Sequence, residues 1–340
     1  MLKKLTDAFG VSGCEKEIRD VIKEEVKDLG EVTIDKLGNL ILHKKGNGKK
    51  VMLAAHMDEV GFIVTGIKED GRIKFAPVGG IDPRILVSKR VVFGRTNTKG
   101  IIGYKPIHLQ NEGERNNPVN AKELFIDIGA TSKEEALKTI KLGDYANFES
   151  EYIEMGNYIK AKALDDRVGC AILIDILKEE YDFDLYCVWT VQEEVGLRGA
   201  TVAAYSIEPE IGLIIEGTTC ADFVKDEKDY VTETGKGPAI SVMDSSSIAN
   251  EKLLNRIVKV AEESNIPLQI RRGNVGGNDA GIIHKTKKGA ITASISVPTK
   301  YIHSPISMIH KEDYQNTLKL VKSVLRNLER EELWWNYLRN

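Results

Sequence analysis

Three short apolar runs in this chain stop at residues that a hydrophobic core rejects. The run at 51–55 ends on His56. The run at 185–191 leads through Gln192 into the adjacent pair Glu193 and Glu194, and the run at 211–215 ends on Glu216. Continuous apolar runs of this length read as strands buried on both faces, as in a parallel sheet covered by helices. In open α/β sheets ligands bind outside the carboxyl ends of the strands. The three runs therefore place an imidazole and three carboxylates along one sheet edge. Charges there are costly to desolvate unless something compensates them, and a metal centre would do so.

The rest of the chain agrees with a layered α/β domain. From about residue 160 onward strand-like and helix-like stretches alternate: helical spacing at 167–180, a strand at 185–191, a helix at 199–205, a strand at 212–215, a helix at 250–263, strands at 268–270 and 290–297, and a long amphipathic helix at 312–337. Ser12 to Glu15 has capping-box spacing ahead of a helix carrying Ile18, Ile22 and Val26. Between about 65 and 158 the character changes to short β-like runs punctuated by Gly-containing turns, which reads as a small β-rich module inserted into the larger domain. The expected division is 1–64 with 159–340 for the main domain and 65–158 for the insertion.

Composition narrows the function class. The 340 residues are 42% hydrophobic and 29% charged, with a net charge of −3. That is the make-up of a globular protein with ample core material, and it offers no broad basic field for nucleic acid. No apolar stretch reaches the roughly 20 residues that span a bilayer, and residues 1–7 have no apolar region of the secretory kind. The four cysteines have no paired spacing, which suits a reducing, cytoplasmic setting with buried thiols. Trp334 and Trp335 read as packing residues or interface anchors.

The candidate site residues have a common chemistry. His56 and Asp58 are two apart and share a strand face, so that Asp58 is placed to hold the His56 ring and fix its tautomer. Asp165 and Asp166 open a helix, where a carboxylate serves either as a cap or as a bridge between two ions. Glu193 and Glu194 face opposite ways on a regular strand, so both reach one site only if the chain bends there. One would then bind metal and the other act as general base on the attacking water, the spacing leaving open which does which. His303 adds a second imidazole, while His43, His108, His284 and His310 read as surface or structural. Imidazole with carboxylate suits zinc-like ions. No nucleophile-elbow, P-loop or His-Glu-x-x-His pattern is present.

In this order, the segments Ala-His-Met-Asp-Glu-Val-Gly-Phe at 55–62, Lys-Ala-Leu-Asp-Asp-Arg at 162–167, Val-Gln-Glu-Glu-Val-Gly-Leu-Arg-Gly-Ala at 191–200, Ile-Glu-Gly-Thr-Thr at 215–219, Gly-Gly-Asn-Asp-Ala at 276–280 and Tyr-Ile-His-Ser at 301–304 resemble the TET-type dimetal aminopeptidases. That family includes glutamyl and deblocking aminopeptidases, and some members have carried the label endoglucanase. The resemblance implies a zinc-exopeptidase-like fold, with a mixed, mostly parallel sheet sandwiched by helices and a small inserted β-barrel-like domain used for dimerisation. It implies two zinc or cobalt ions, with His56 and Glu216 completing one site and Glu194 and His303 the other. Asp165 would bridge them, Glu193 would be the general base, and Asp58 would orient His56. A cis peptide at Asp165–Asp166 and assembly into a tetrahedral dodecamer that admits only peptides are further implications.

Members commonly have Asp where this chain has Glu216 and Thr where it has Asn278. The expected activity is removal of N-terminal residues from short peptides. The alternatives are an N-acyl amino-acid or peptide deacylase on the same metals, an endoglucanase, and a non-catalytic assembly protein. The preferred N-terminal side chain is not legible in the sequence.

Overall fold

The computed structural model describes residues 1–223, 226, 230–273 and 276–330. Its centre is a sheet of eleven strands among the described residues. The four middle strands run parallel in the order Asp184–Thr190, Lys50–His56, Ile211–Cys220, Ile291–Lys300. The first three contain the apolar runs of the sequence, the fourth alternates apolar residues with Thr292, Ser294 and Ser296, and each is almost wholly buried along its length. Antiparallel strands extend the sheet on both sides: Leu40–Lys44 and Glu31–Ile34 beyond the first, and Ser307–His310, Tyr158–Ala161 and Ile153–Met155 beyond the last. The sheet is thus mixed, and parallel where it carries the candidate site.

Side chains alternate faces along these strands, and the two faces bury different partners. Val51, Leu53 and Ala55 pack on the helix Leu164–Ile176, while the helices Glu251–Glu263 and Lys311–Arg330 cover Ala293, Ile295 and Val297 of the strand Ile291–Lys300 in the same core. Met52, Ala54, Val188 and Ile214 face the other way, against Ala200, Ala203 and Ala204 of the helix Arg198–Ile207 and Ile283 of the helix Ala280–Ile283. Covering both faces leaves no solvated side for the middle strands, which accounts for the apolar runs at 51–55, 185–191 and 211–215. The last helix ends at Arg330 in the described part, and Trp334 and Trp335 lie outside the described residues.

Six strands between Gly61 and Phe148 close into an antiparallel barrel. Its core is built on Phe62, which meets Phe75 and Phe148 edge-on at 5.1 and 5.0 Å. The first barrel strand, Gly61–Ile67, leaves the large sheet only five residues after His56. Because Ile153–Met155 and Tyr158–Ala161 pair into the large sheet, we draw the insertion at 61–148 rather than 65–158.

One local expectation fails. Ser12 does not cap the helix Lys16–Val26, which starts without a side-chain cap. Its hydroxyl instead donates to Asp58 Oδ2 at 2.6 Å, 46 residues away. No helix among the described residues is long and apolar enough to cross a membrane.

Candidate metal centre

His56 ends its strand beside Thr190 in register, so the two neighbouring strands deliver the imidazole and the Glu193–Glu194 turn to the same edge. The chain bends sharply after Val191. Gln192 takes the left-handed region with φ 54°, and Asp58 accepts the backbone amides of Glu193 and Glu194 at 3.0 and 3.2 Å. That bend lets two adjacent glutamates reach one cavity. Ala163 and His303 are also left-handed, with φ of 53° and 57°. Non-glycine residues in this region cost energy and collect at functional sites.

The two aspartates of the helix opening divide their work. The helix Leu164–Ile176 has non-helical backbone at both, joined by a cis peptide. Asp166 is fully buried and structural: it accepts the amides of His56 and Gly169 at 3.1 and 2.9 Å. Gly169 is required there, since a Cβ would lie 2.2 Å from the Ile215 carbonyl oxygen. Asp165 faces the cavity and lies between the imidazoles, its Oδ1 3.3 Å from His56 Nε2 and its Oδ2 3.7 Å from His303 Nε2. Glu194 Oε2 is 3.2 Å from His303 Nε2.

Both imidazoles are held from behind. His56 Nδ1 donates to the Asp58 carbonyl at 3.1 Å, and His303 Nδ1 donates to the Gly80 carbonyl at 2.9 Å. Each therefore presents Nε2, as metal-binding histidines do when their other nitrogen is tied to a carbonyl. Asp58 holds the ring through its main chain: its carboxylate stands 3.7 Å from Nδ1 and serves Ser12 and the two glutamate amides.

His56, Asp165, Glu193, Glu194, Glu216 and His303 line one cavity of about 840 Å³. The ligand atoms of His56, Asp165 and Glu194 lie within 4.8 Å of one another. The electrostatics of the cavity suit a bound cation. Burial raises the Glu216 carboxyl to about 8, Asp165 adding to the effect and His56 opposing it. Burial alone would lower the His303 imidazole, yet Glu194 and Asp165 push it up to about 9. Carboxyl and imidazole values raised together describe a donor set rich in negative charge, which divalent cations would balance. Nitrogen and oxygen donors of this kind fit divalent zinc-like ions.

Residues to which the sequence reading gave no role also contribute. The Gly80 carbonyl reaches His303 from the loop after a barrel strand, and no local pattern announces it. Asp279 is buried, accepts from Thr190 Oγ1 at 2.6 Å, and among the described residues leaves Oδ1 without a partner. The remaining histidines stay out of the cavity. His43, for example, stacks on Tyr186 at 4.1 Å.

Comparison with known proteins agrees with this geometry. Residues 38–320 match the model of the M42 glutamyl aminopeptidase family. The lysyl aminopeptidase of Pyrococcus furiosus is 36% identical over 339 residues, covering 97% of each chain. The solved TET aminopeptidase from the marine sediment archaeon Thaumarchaeota archaeon SCGC AB-539-E09 superposes with a TM-score of 0.94 at 36% identity, covering 99% of this chain and 98% of that one. The Pyrococcus horikoshii TET1 peptidase, described as able to assemble into a tetrahedron or a large octahedral shell, superposes with a TM-score of 0.86 at 35% identity, covering 95% of this chain and 98% of that one.

Proposed function

The chain belongs to the M42 glutamyl aminopeptidase family of peptide-bond hydrolases, and from that membership we propose that it removes single residues from the free N-termini of short peptides with the help of two divalent cations. The observation that carries this reading is the pair of imidazoles, both with Nδ1 tied to a carbonyl and Nε2 turned toward Asp165. His56 and Glu216 would hold one ion, Glu194 and His303 the other, and Asp165 would be shared. Zinc or cobalt suits these ligands.

When bound, such ions supply Lewis acidity to the scissile carbonyl and acidify the attacking water. The protein's own residues do the rest. Glu193, set in the same cavity by the bend at Gln192, takes a proton from the attacking water and returns it to the leaving amine. The matched family and two of the relatives named above are aminopeptidases, which favours that activity over a deacylase. Glycoside hydrolysis by paired carboxylates would leave both imidazoles without a task.

Self-association into a closed shell is part of the same reading, by likeness to the Pyrococcus horikoshii peptidase. The barrel leaves Ile101, Ile107 and Leu109 exposed for such contacts. Four free cysteines suit a cytoplasmic setting.

The test is a rate comparison on metal-reconstituted protein. Short peptides with free N-termini, the same peptides N-acetylated, and a soluble cellulose derivative are the substrates. Chelator-sensitive release of the first residue from free peptides only is expected. Equal cleavage of blocked peptides would establish the deacylase instead, and sugar release that survives chelation would overturn the metal reading.

A further inference from the structure

Glu216 sits on the rigid strand Ile211–Cys220, but its side chain is long and its backbone cannot decide which way the carboxylate turns. The decision is made by a polar cluster below it. Asn278 Nδ2 donates to Glu216 Oε1 at 2.8 Å, and Ser296, which pairs with Glu216 in register, adds a longer contact from its hydroxyl to the same oxygen at 3.4 Å. Among the described residues Oε1 takes both bonds, and Oε2 is left to the cavity.

Asn278 is itself locked. Its Oδ1 accepts the Ala280 amide at 2.8 Å, and its Nδ2 also donates to Ser294 Oγ at 3.0 Å. Turning the amide over would set Oδ1 against the Glu216 carboxylate and Nδ2 against the Ala280 N–H, acceptor to acceptor and donor to donor. The residue is only 4% exposed, at the wall of the cavity, so a lost bond leaves a nearly buried group short of a partner. Asp244 Oδ2, at 3.5 Å from Nδ2, adds a second negative neighbour that a donor satisfies and a carboxylate at 278 would repel.

We propose that Asn278 is a positioning residue for the ion site to which Glu216 belongs: its amide fixes how the Glu216 carboxylate is turned toward the cavity, and so sets the affinity of that site apart from the site of Glu194 and His303. The proposal rests on the two-ion reading given above. Groups that orient metal ligands from behind typically govern affinity by about 10- to 100-fold.

The test is calorimetric titration of cobalt into the chelator-treated full chain, followed in parallel by the cobalt absorption spectrum. Wild type is expected to bind two ions. Asn278→Ala removes the donor and adds no charge of its own. It should weaken one of the two steps by about 10- to 100-fold and change the other by less. His303→Ala removes the second site and identifies the steps. In the double variant the weakened step alone should remain. Ser296→Ala, which removes only the longer contact, should weaken the same step by less, and it carries the test if Asn278→Ala fails to match the ion-free thermal unfolding of wild type. Two wild-type affinities in Asn278→Ala, or an equal loss at both sites, would overturn the proposal alone. A wild type that binds fewer than two ions would overturn the two-ion reading and the proposal with it.

Discussion

Asp58 Oδ1 accepts the backbone amide of Glu193 at 3.0 Å. The bond ties the end of one strand to the turn that follows its parallel neighbour, and it sets the proposed general base with respect to His56. Its other oxygen takes the Glu194 amide and the Ser12 hydroxyl, so a single buried carboxylate holds three segments of the chain. Asn at this position would turn one amide N–H donor against another.

Asp58→Asn should therefore lower kcat by about 10- to 100-fold with a smaller change in KM, since what is lost is the placement of Glu193 and Glu194. It should also destabilise the protein by about 1–3 kcal/mol, the cost of leaving a buried donor unpaired. Steady-state kinetics and urea unfolding of the variant measure the two effects. Unchanged kcat would remove Asp58 from the positioning scheme.

Glu193→Gln removes the proton acceptor and keeps the shape. The expected result is a loss of about 10²- to 10⁴-fold in kcat with the ion content of wild type, read by elemental analysis of the purified variant beside its turnover. Normal turnover would reassign the base.

A second buried cluster ties the barrel to the sheet. Glu59 accepts from Lys162 Nζ at 2.7 and 2.9 Å, from Arg167 at 3.4 Å and from Asn147 Nδ2 at 3.1 Å. Asn147 lies on a barrel strand and Lys162 just before the helix of Asp165. Glu59→Ala leaves two buried cations without their shared partner and should cost about 3–5 kcal/mol. Denaturant unfolding checks this. A loss under about 1 kcal/mol, the range of an exposed pair, would contradict it.

That His56, Glu193, Glu194 and Glu216 would meet in one cavity was legible because they follow apolar runs. His56 ends its strand as expected, whereas Glu216 follows its apolar run but lies within a strand that continues to Cys220; the apolar runs do supply three of the four parallel middle strands. What was not legible depends on contacts between distant segments. The Ser12 hydroxyl has the spacing of a helix cap and goes instead to Asp58. The His-x-Asp spacing points to a ring held by a carboxylate, whereas the ring is tied to a carbonyl of the same residue and the carboxylate works elsewhere. The Gly80 carbonyl behind His303 spans 223 positions and leaves no periodic trace. The barrel edges shifted because turn signals mark where strands stop without saying which sheet they join.

The most direct test of the central claim is activity on an unblocked peptide as a function of added zinc or cobalt, starting from chelator-treated protein. The account predicts no turnover without metal, recovery that saturates at two ions per chain, and a rise in thermal stability as the ions bind. Turnover that survives complete removal of metal would contradict it.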